Sequence, residues 1–270
     1  MRNFWILLLA FALGCAPDAK VIDSPIVAQL TQGQSQGTGH FDHSGWTEIL
    51  KGASKPKTGR VDYAWVKANQ GKLDAYLKSL AEADLSKLGR NEQFALLLNA
   101  YNAFTIKLIT ENYPSVKSIR DLSKPWKTSR YVIAGVTVSL NDIEHGLLRP
   151  LFKDPRIHFA VNCASIGCPP LSDEAFEGKS VESQLDKVAR ATLTNARYAG
   201  VKDGKLQLSA ILDWYGADFT DETFIAHAKT VPVWVARYAN EDVRALVKKA
   251  GGSPEVEFMD YDWRLNDSSR

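Results

Sequence analysis

Apolar positions recur at helical spacing through much of the chain. Leu73, Tyr76, Leu77 and Leu80 fall at i, i+3, i+4 and i+7, which predicts an amphipathic surface helix over 73–88. Trp46, Ile49 and Leu50 make a shorter apolar face behind Asp42 or Ser44 as cap. Residues 92–109 are different, with apolar side chains on nearly every face, as a helix enclosed by protein requires. At 3.6 residues per turn Glu92 and Asn99 share a stripe, and Asn102 lies one turn beyond. An unmet polar group there would cost about 1–3 kcal/mol, so the stripe is either a satisfied structural network or the wall of a polar cleft that Tyr101 also faces.

The pattern then shortens. Two β-branched runs around Ala134-Gly135 predict a hairpin, and Val201 to Leu208 predicts another around Asp203-Gly204. Between them, 140–150 reads as a short helix capped by Ser139 or Asn141 and stopped by Pro150. Arg156 to Asn162 has no helical period and is bounded by Asp154-Pro155 and by Gly167 to Pro170, so a strand and loop are expected. Helical pieces follow over 180–194, 211–215, 219–228 and 231–249, and a terminal strand over 256–266. Neither a repeat nor a linker is visible after residue 40. The expected fold is therefore a single α+β domain over 41–266, mostly helical with a small antiparallel sheet.

Composition adds an address. The chain has 270 residues, 45% hydrophobic and 24% charged, with a net charge of +2. A domain of this size buries about 75% of its unfolded surface and needs no disulfide merely to stay folded. So small a charge, with acids and bases interspersed, argues against nucleic acid and for a small-molecule or peptide ligand. Arg2 precedes an apolar run, Phe4 to Leu13, too short to span a bilayer, and the run ends in Gly14-Cys15. This resembles a bacterial lipoprotein cleavage box. The resemblance implies a signal peptide over 1–14, a lipidated Cys15 and, since Ala16 follows, the periplasmic face of the outer membrane. An ordinary cleaved signal is the alternative. Residues 16–39, rich in Gln, Ser, Thr and Gly, are expected to form a flexible tether, placed at 15–40.

Five motifs stand in order: Gly59-Arg-Val-Asp-Tyr63, Leu98-Asn-Ala-Tyr-Asn102, Leu140-Asn-Asp-Ile-Glu-His145, His158-Phe-Ala-Val-Asn-Cys163 through Cys168-Pro-Pro-Leu171, and Tyr261-Asp-Trp-Arg-Leu-Asn266. Together they resemble the family called domain of unknown function 547, over about residues 41–266. The resemblance implies that these positions belong to one shared constellation, and an exported, lipid-attached bacterial member of the family would not be unusual.

Cys163 and Cys168 are the two cysteines outside the leader, and three roles compete for them. As a nucleophile, Cys163 needs an imidazole nearby and an orienter for it. His158 stands five positions before Cys163 and would point to the opposite face of a regular strand, so His145 is preferred, with Glu144, Asn99 or Asn102 as orienter. Amides of the 164–167 loop would then hold an oxyanion, by analogy of roles with papain-like and transglutaminase-like sites. Glu92, Tyr101, Asn102, His158, Asn162 and Cys168 would line the substrate cleft. As a staple, the pair forms a structural disulfide in an oxidising compartment, and the protein is a non-enzymatic binder. Two cysteines alone lack the spacing of a zinc site, so no metal and no cofactor is expected. Thiol–disulfide exchange ranks last, for want of a Cys-x-x-Cys spacing.

Overall fold

The computed structural model describes residues 19–269. Helix α1, Pro25–Gln36, carries Pro25 in its first turn, where a missing N–H costs nothing, and buries Ile26, Leu30 and Gly33. A Cβ on Gly33 would stand 2.2 Å from the Leu85 carbonyl, so glycine is what lets α1 lie against the short turn Leu85–Lys87. The expected tether over 15–40 is corrected by this: from Pro25 the chain belongs to the folded body. The polar composition hid a buried stripe at i, i+4 and i+7. The expected signal peptide at 1–14 and the lipidated Cys15 lie outside the described residues.

Helix α2, Ser44–Ala53, leads through the ribbon β1, Ser54–Lys55, and β2, Arg60–Val61, to α3, Tyr63–Ala68, and α4, Gln70–Ala81. These pack around α5, Arg90–Glu111, which is buried along nearly its whole length as its all-round apolar pattern demands. The hairpin β3, Tyr131–Ile133, and β4, Val136–Val138, turns at Ala134 and Gly135 with φ of 52° and 75°, the positive values that a two-residue hairpin turn needs.

Asp142–Phe152 is helical but wound more widely, with the spacing of a π-helix, and it does not stop at Pro150. In an α-helix the proline ring would strike the carbonyl of residue 146 and give it no N–H. Here the Gly146 carbonyl accepts from the Ile22 N–H at 3.3 Å instead. Helix α6, Ile157–Ala160, replaces the expected strand. Asp154 accepts from the Arg156 N–H at 2.9 Å, so Asp154-Pro155 starts a helical turn rather than breaking one.

Helix α7, Val181–Leu193, precedes strands β5, Ala199–Lys202, and β6, Lys205–Ser209, joined antiparallel through Asp203 and Gly204. Short helices α8, Ile211–Trp214, α9, Gly216–Thr220, and α10, Val231–Val235, and the longer α11, Glu241–Lys249, lead to β7, Val256–Met259. Strand β7 pairs parallel to β6, so the three-stranded sheet is mixed rather than antiparallel. The expected terminal strand is confined to these four residues. The α+β class holds.

Two apolar clusters result, one around α5 and one around Phe219 and Trp234. Helix α6 belongs to both, with Ile157 and Ala160 in the first and Phe159 in the second. The residues that follow α6 therefore emerge at the seam, where the candidate site lies.

Candidate functional site

A cleft of about 1040 Å³ opens at this seam and takes its walls from both sides, with Tyr101, Trp126 and Trp263 from one cluster and Tyr215 from the other. Glu144, His145, His158, Cys163 and Cys168 all line it. The widened helix 142–152 presents Glu144 and His145 together, with Arg149 one turn on, and all three are buried. Unusually wide helical turns recur at functional sites, where they re-aim side chains.

The polar groups form one chain of contacts. Asp218 on α9 accepts from Arg149 Nε at 2.7 Å and Nη2 at 2.8 Å, and its Oδ2 also lies 2.8 Å from His158 Nε2. Arg149 Nη1 reaches His145 Nδ1 at 3.0 Å. A guanidinium only donates, so Nδ1 must be the accepting nitrogen and the neutral ring carries its proton on Nε2. That Nε2 lies 3.9 Å from Glu144 Oε1, which accepts from the Tyr215 hydroxyl at 2.9 Å, and Tyr101 bonds the same carboxylate. The Tyr215 ring stacks on His158 with centroids 3.9 Å apart and lies under the Arg149 guanidinium at 5.2 Å.

Electrostatics follow this chain. Burial pushes the His145 imidazole below its usual value; Glu144 pulls it back up, and the Arg149 charge adds to the lowering. Burial alone would raise the Asp218 carboxyl, but the bonds from Arg149 and His158 more than offset this and hold it at about 2. At neutral pH the site thus holds a carboxylate at Asp218 and an uncharged donor at His145.

Cys163 and Cys168 are joined as a disulfide, their Cα atoms 6.3 Å apart. The Tyr261 hydroxyl touches both sulfurs at 3.1 Å, and the Cys163 N–H reaches the Cys168 sulfur at 2.9 Å. Gly167 lies over the Tyr261 ring so closely that a Cβ would meet it at 2.8 Å. Three of the four loop amides are occupied: Ala164 N–H by Asn162 Oδ1, Ile166 N–H by the Arg264 carbonyl and Gly167 N–H by the Asp262 carbonyl. The expected oxyanion hole in this loop is therefore corrected, because those donors already serve to seat the loop on the C-terminal segment.

The expected site residues divide cleanly. Glu144, His145, Tyr101, His158, Cys163 and Cys168 come together in the cleft. His158 was passed over as the thiol's partner on strand geometry that α6 does not have, and it lines the cleft with Cys163. The asparagines hold backbone instead. Asn99 donates to the Phe176 carbonyl at 2.8 Å and accepts its N–H at 3.0 Å. Asn102 does the same between the Ala160 carbonyl, 2.9 Å, and the Asn162 N–H, 2.8 Å, and Asn162 donates to the Pro169 carbonyl at 2.8 Å. Asn99 as orienter and Asn102 and Asn162 as substrate contacts are corrected: their amides are spent on fixing the segments on either side of the cleft. Glu92 is also corrected, since it bonds His40 at 3.2 Å and lines a shallow surface depression away from the cleft.

Arg149, Asp218, Tyr215 and Tyr261 were missed. Arg149 had a signal, standing one helical turn after His145, whereas Asp218 lies 69 residues from its partner and no local pattern marks it. Among the described residues there is no group of three or more His, Cys, Asp or Glu placed to hold a metal ion.

Residues 85–192, which supply α5, the widened helix and the disulfide loop, match the model of a family described as Protein of unknown function, DUF547. This segment of the chain is similar to that family. The family resemblance read from the motifs is thereby shown over its central part, while the 59–63 and 261–266 motifs fall outside the matched residues. No curated protein and no solved structure matches the chain, so the likeness to papain-like sites stays an analogy of roles.

Proposed function

We propose that this protein is an exported, lipid-anchored binding protein, attached through Cys15 at the periplasmic face of the outer membrane, whose cleft takes a small-molecule or peptide ligand and whose Cys163–Cys168 disulfide is structural. One observation carries this reading: the three things a thiol acyl-transfer site needs are each already engaged. The sulfurs bond each other, three of the four loop amides bond carbonyls and Asn162, and His145 Nδ1 accepts from Arg149. An export compartment is one where such a disulfide persists. The cleft, by contrast, is roomy and partly aromatic, the common character of ligand pockets.

A second reading has support of its own, since Cys163 and His145 line the same cleft. On reduction Cys163 would attack an acyl carbon while His145 takes the proton; that role requires the imidazole to change tautomer and give up Arg149. One experiment separates the two. The oxidised and the reduced protein are mixed with p-nitrophenyl acetate, and thiols are counted with and without reductant. Binding predicts no free thiol before reduction and no burst in either state. A burst in the reduced protein that disappears in Cys163→Ala and His145→Ala would establish the enzyme. Radiolabelled palmitate that fails to enter the wild-type chain would remove the anchor.

A further inference from the structure

The mouth of the cleft carries five charged residues sorted by sign. Arg120 lies in the turn Ile119–Asp121, and Lys124 and Lys127 on the connector from it to β3, whereas Asp213 lies in α8 and Asp260 follows β7. All five are exposed, and none of them makes an ion pair among the described residues. Scattered surface charges would normally mix in sign or pair. Here each sign occupies its own segments of the chain.

An aromatic strip joins the basic connector to the segments that carry the acids. Trp126, on the basic connector, packs edge-on against Trp263 at 6.0 Å, and Trp263 stacks on Trp214, beside Asp213, at 5.8 Å and 19°. Arg120 lies over the Trp263 ring at 5.2 Å, which fixes the basic side to the strip. Tyr261 closes against Trp214 and Trp263 at 4.8 and 4.5 Å and joins the strip to the disulfide. Nearby, His158 Nδ1 is buried with no partner among the described residues, and Nε2 faces Asp218, which leaves Nδ1 as an acceptor on the cleft wall.

We propose that the cleft binds a short zwitterionic peptide, laid along the Trp126–Trp263–Trp214 strip with its carboxylate toward Arg120, Lys124 and Lys127 and its ammonium toward Asp213 and Asp260. This rests on the binding reading above and names the ligand class for it. The size agrees, because an extended chain rises about 3.3–3.6 Å per residue, so roughly three residues cover the two ring-to-ring steps. The chemistry agrees too. Aromatic faces take apolar side chains without demanding one sequence, while the opposed charges fix direction and select free ends over the interior of a protein chain.

The test titrates the full chain with alanyl-leucyl-alanine, its N-acetyl form, its C-terminal amide and chitotriose, reading tryptophan emission and heat. The free tripeptide is expected to bind, and blocking either end to weaken it by tenfold or more. In Arg120→Gln/Lys124→Gln the acid and the amide should bind alike while the N-acetyl penalty persists; Asp213→Asn/Asp260→Asn should show the reverse. Equal binding of free and blocked peptides overturns the directional proposal and leaves the cleft as a binding site. Binding of chitotriose without any peptide overturns the ligand class in the same way. If none of the four changes emission or heat, both this proposal and the binding reading fall.

Discussion

Asp218→Asn is the sharpest probe of the buried network, because it removes a charge and keeps the shape. Asp218 is 3% exposed and faces Arg149 through two bonds and His158 through a third. With the carboxylate gone, Arg149 loses its buried ion pair with Asp218, and breaking such a pair by removing one partner typically costs about 3–5 kcal/mol. The titration gives an independent figure. A fall from the ordinary 3.8 to about 2 is worth about 2 kcal/mol of folding free energy. Since the folded value lies below the unfolded one, that share is whole above about pH 4 and is lost as the pH falls through about 2. Urea unfolding of wild type and variant at a series of pH values from 7 down to 2 measures it. The variant should be less stable by about 3 kcal/mol at pH 7, and the gap should narrow toward the acid end. A gap under about 0.5 kcal/mol at pH 7, or one that stays constant down to pH 2, would falsify the claim that this carboxylate holds Arg149 in place.

Four further outcomes are expected. Replacing both Cys163 and Cys168 by serine should cost about 2 kcal/mol in urea unfolding, the chain-entropy value for so short a loop, and the loss should match that of adding reductant to wild type. Asn99→Ala orphans a buried carbonyl and N–H of Phe176 and should cost about 3 kcal/mol while tryptophan emission from the cleft stays unchanged. Leu30→Ala, 1% exposed on α1, should cost about 2–5 kcal/mol; a loss under about 0.5 kcal/mol would restore the tether. In an NMR titration His145 should protonate below the usual histidine value. Its contribution to stability is therefore present above about pH 6.5 and falls away as the pH drops toward the folded value.

What could be read in advance was whatever is local. The all-round apolar pattern of α5 marks an enclosed helix, and the Ala134-Gly135 and Asp203-Gly204 turns mark hairpins, because period and turn chemistry are properties of adjacent residues. Clustering of Glu144, His145 and Cys163 was legible for the same reason, through motifs. The errors share another cause. Asn99, Asn102 and Asn162 look like site residues until their partners 77, 58 and 7 positions away are known. Asp154-Pro155 punctuates either a strand or a helix start, and only the packing of Ile157 and Phe159 into different clusters decides which. In α1 a Gln-rich surface outweighed three buried positions in the reading, although Ser24-Pro25 before them was a start signal in plain view.

The docking of α1 also limits where this protein can work. With lipid on Cys15, as we propose, and the Ile22 N–H already bonded to the Gly146 carbonyl, only seven residues of chain separate the anchor from the body. At about 3.5 Å for each, they span at most roughly 25 Å. The body would then patrol a thin shell next to the bilayer rather than sweep the compartment, and any peptide it captures must come to that shell.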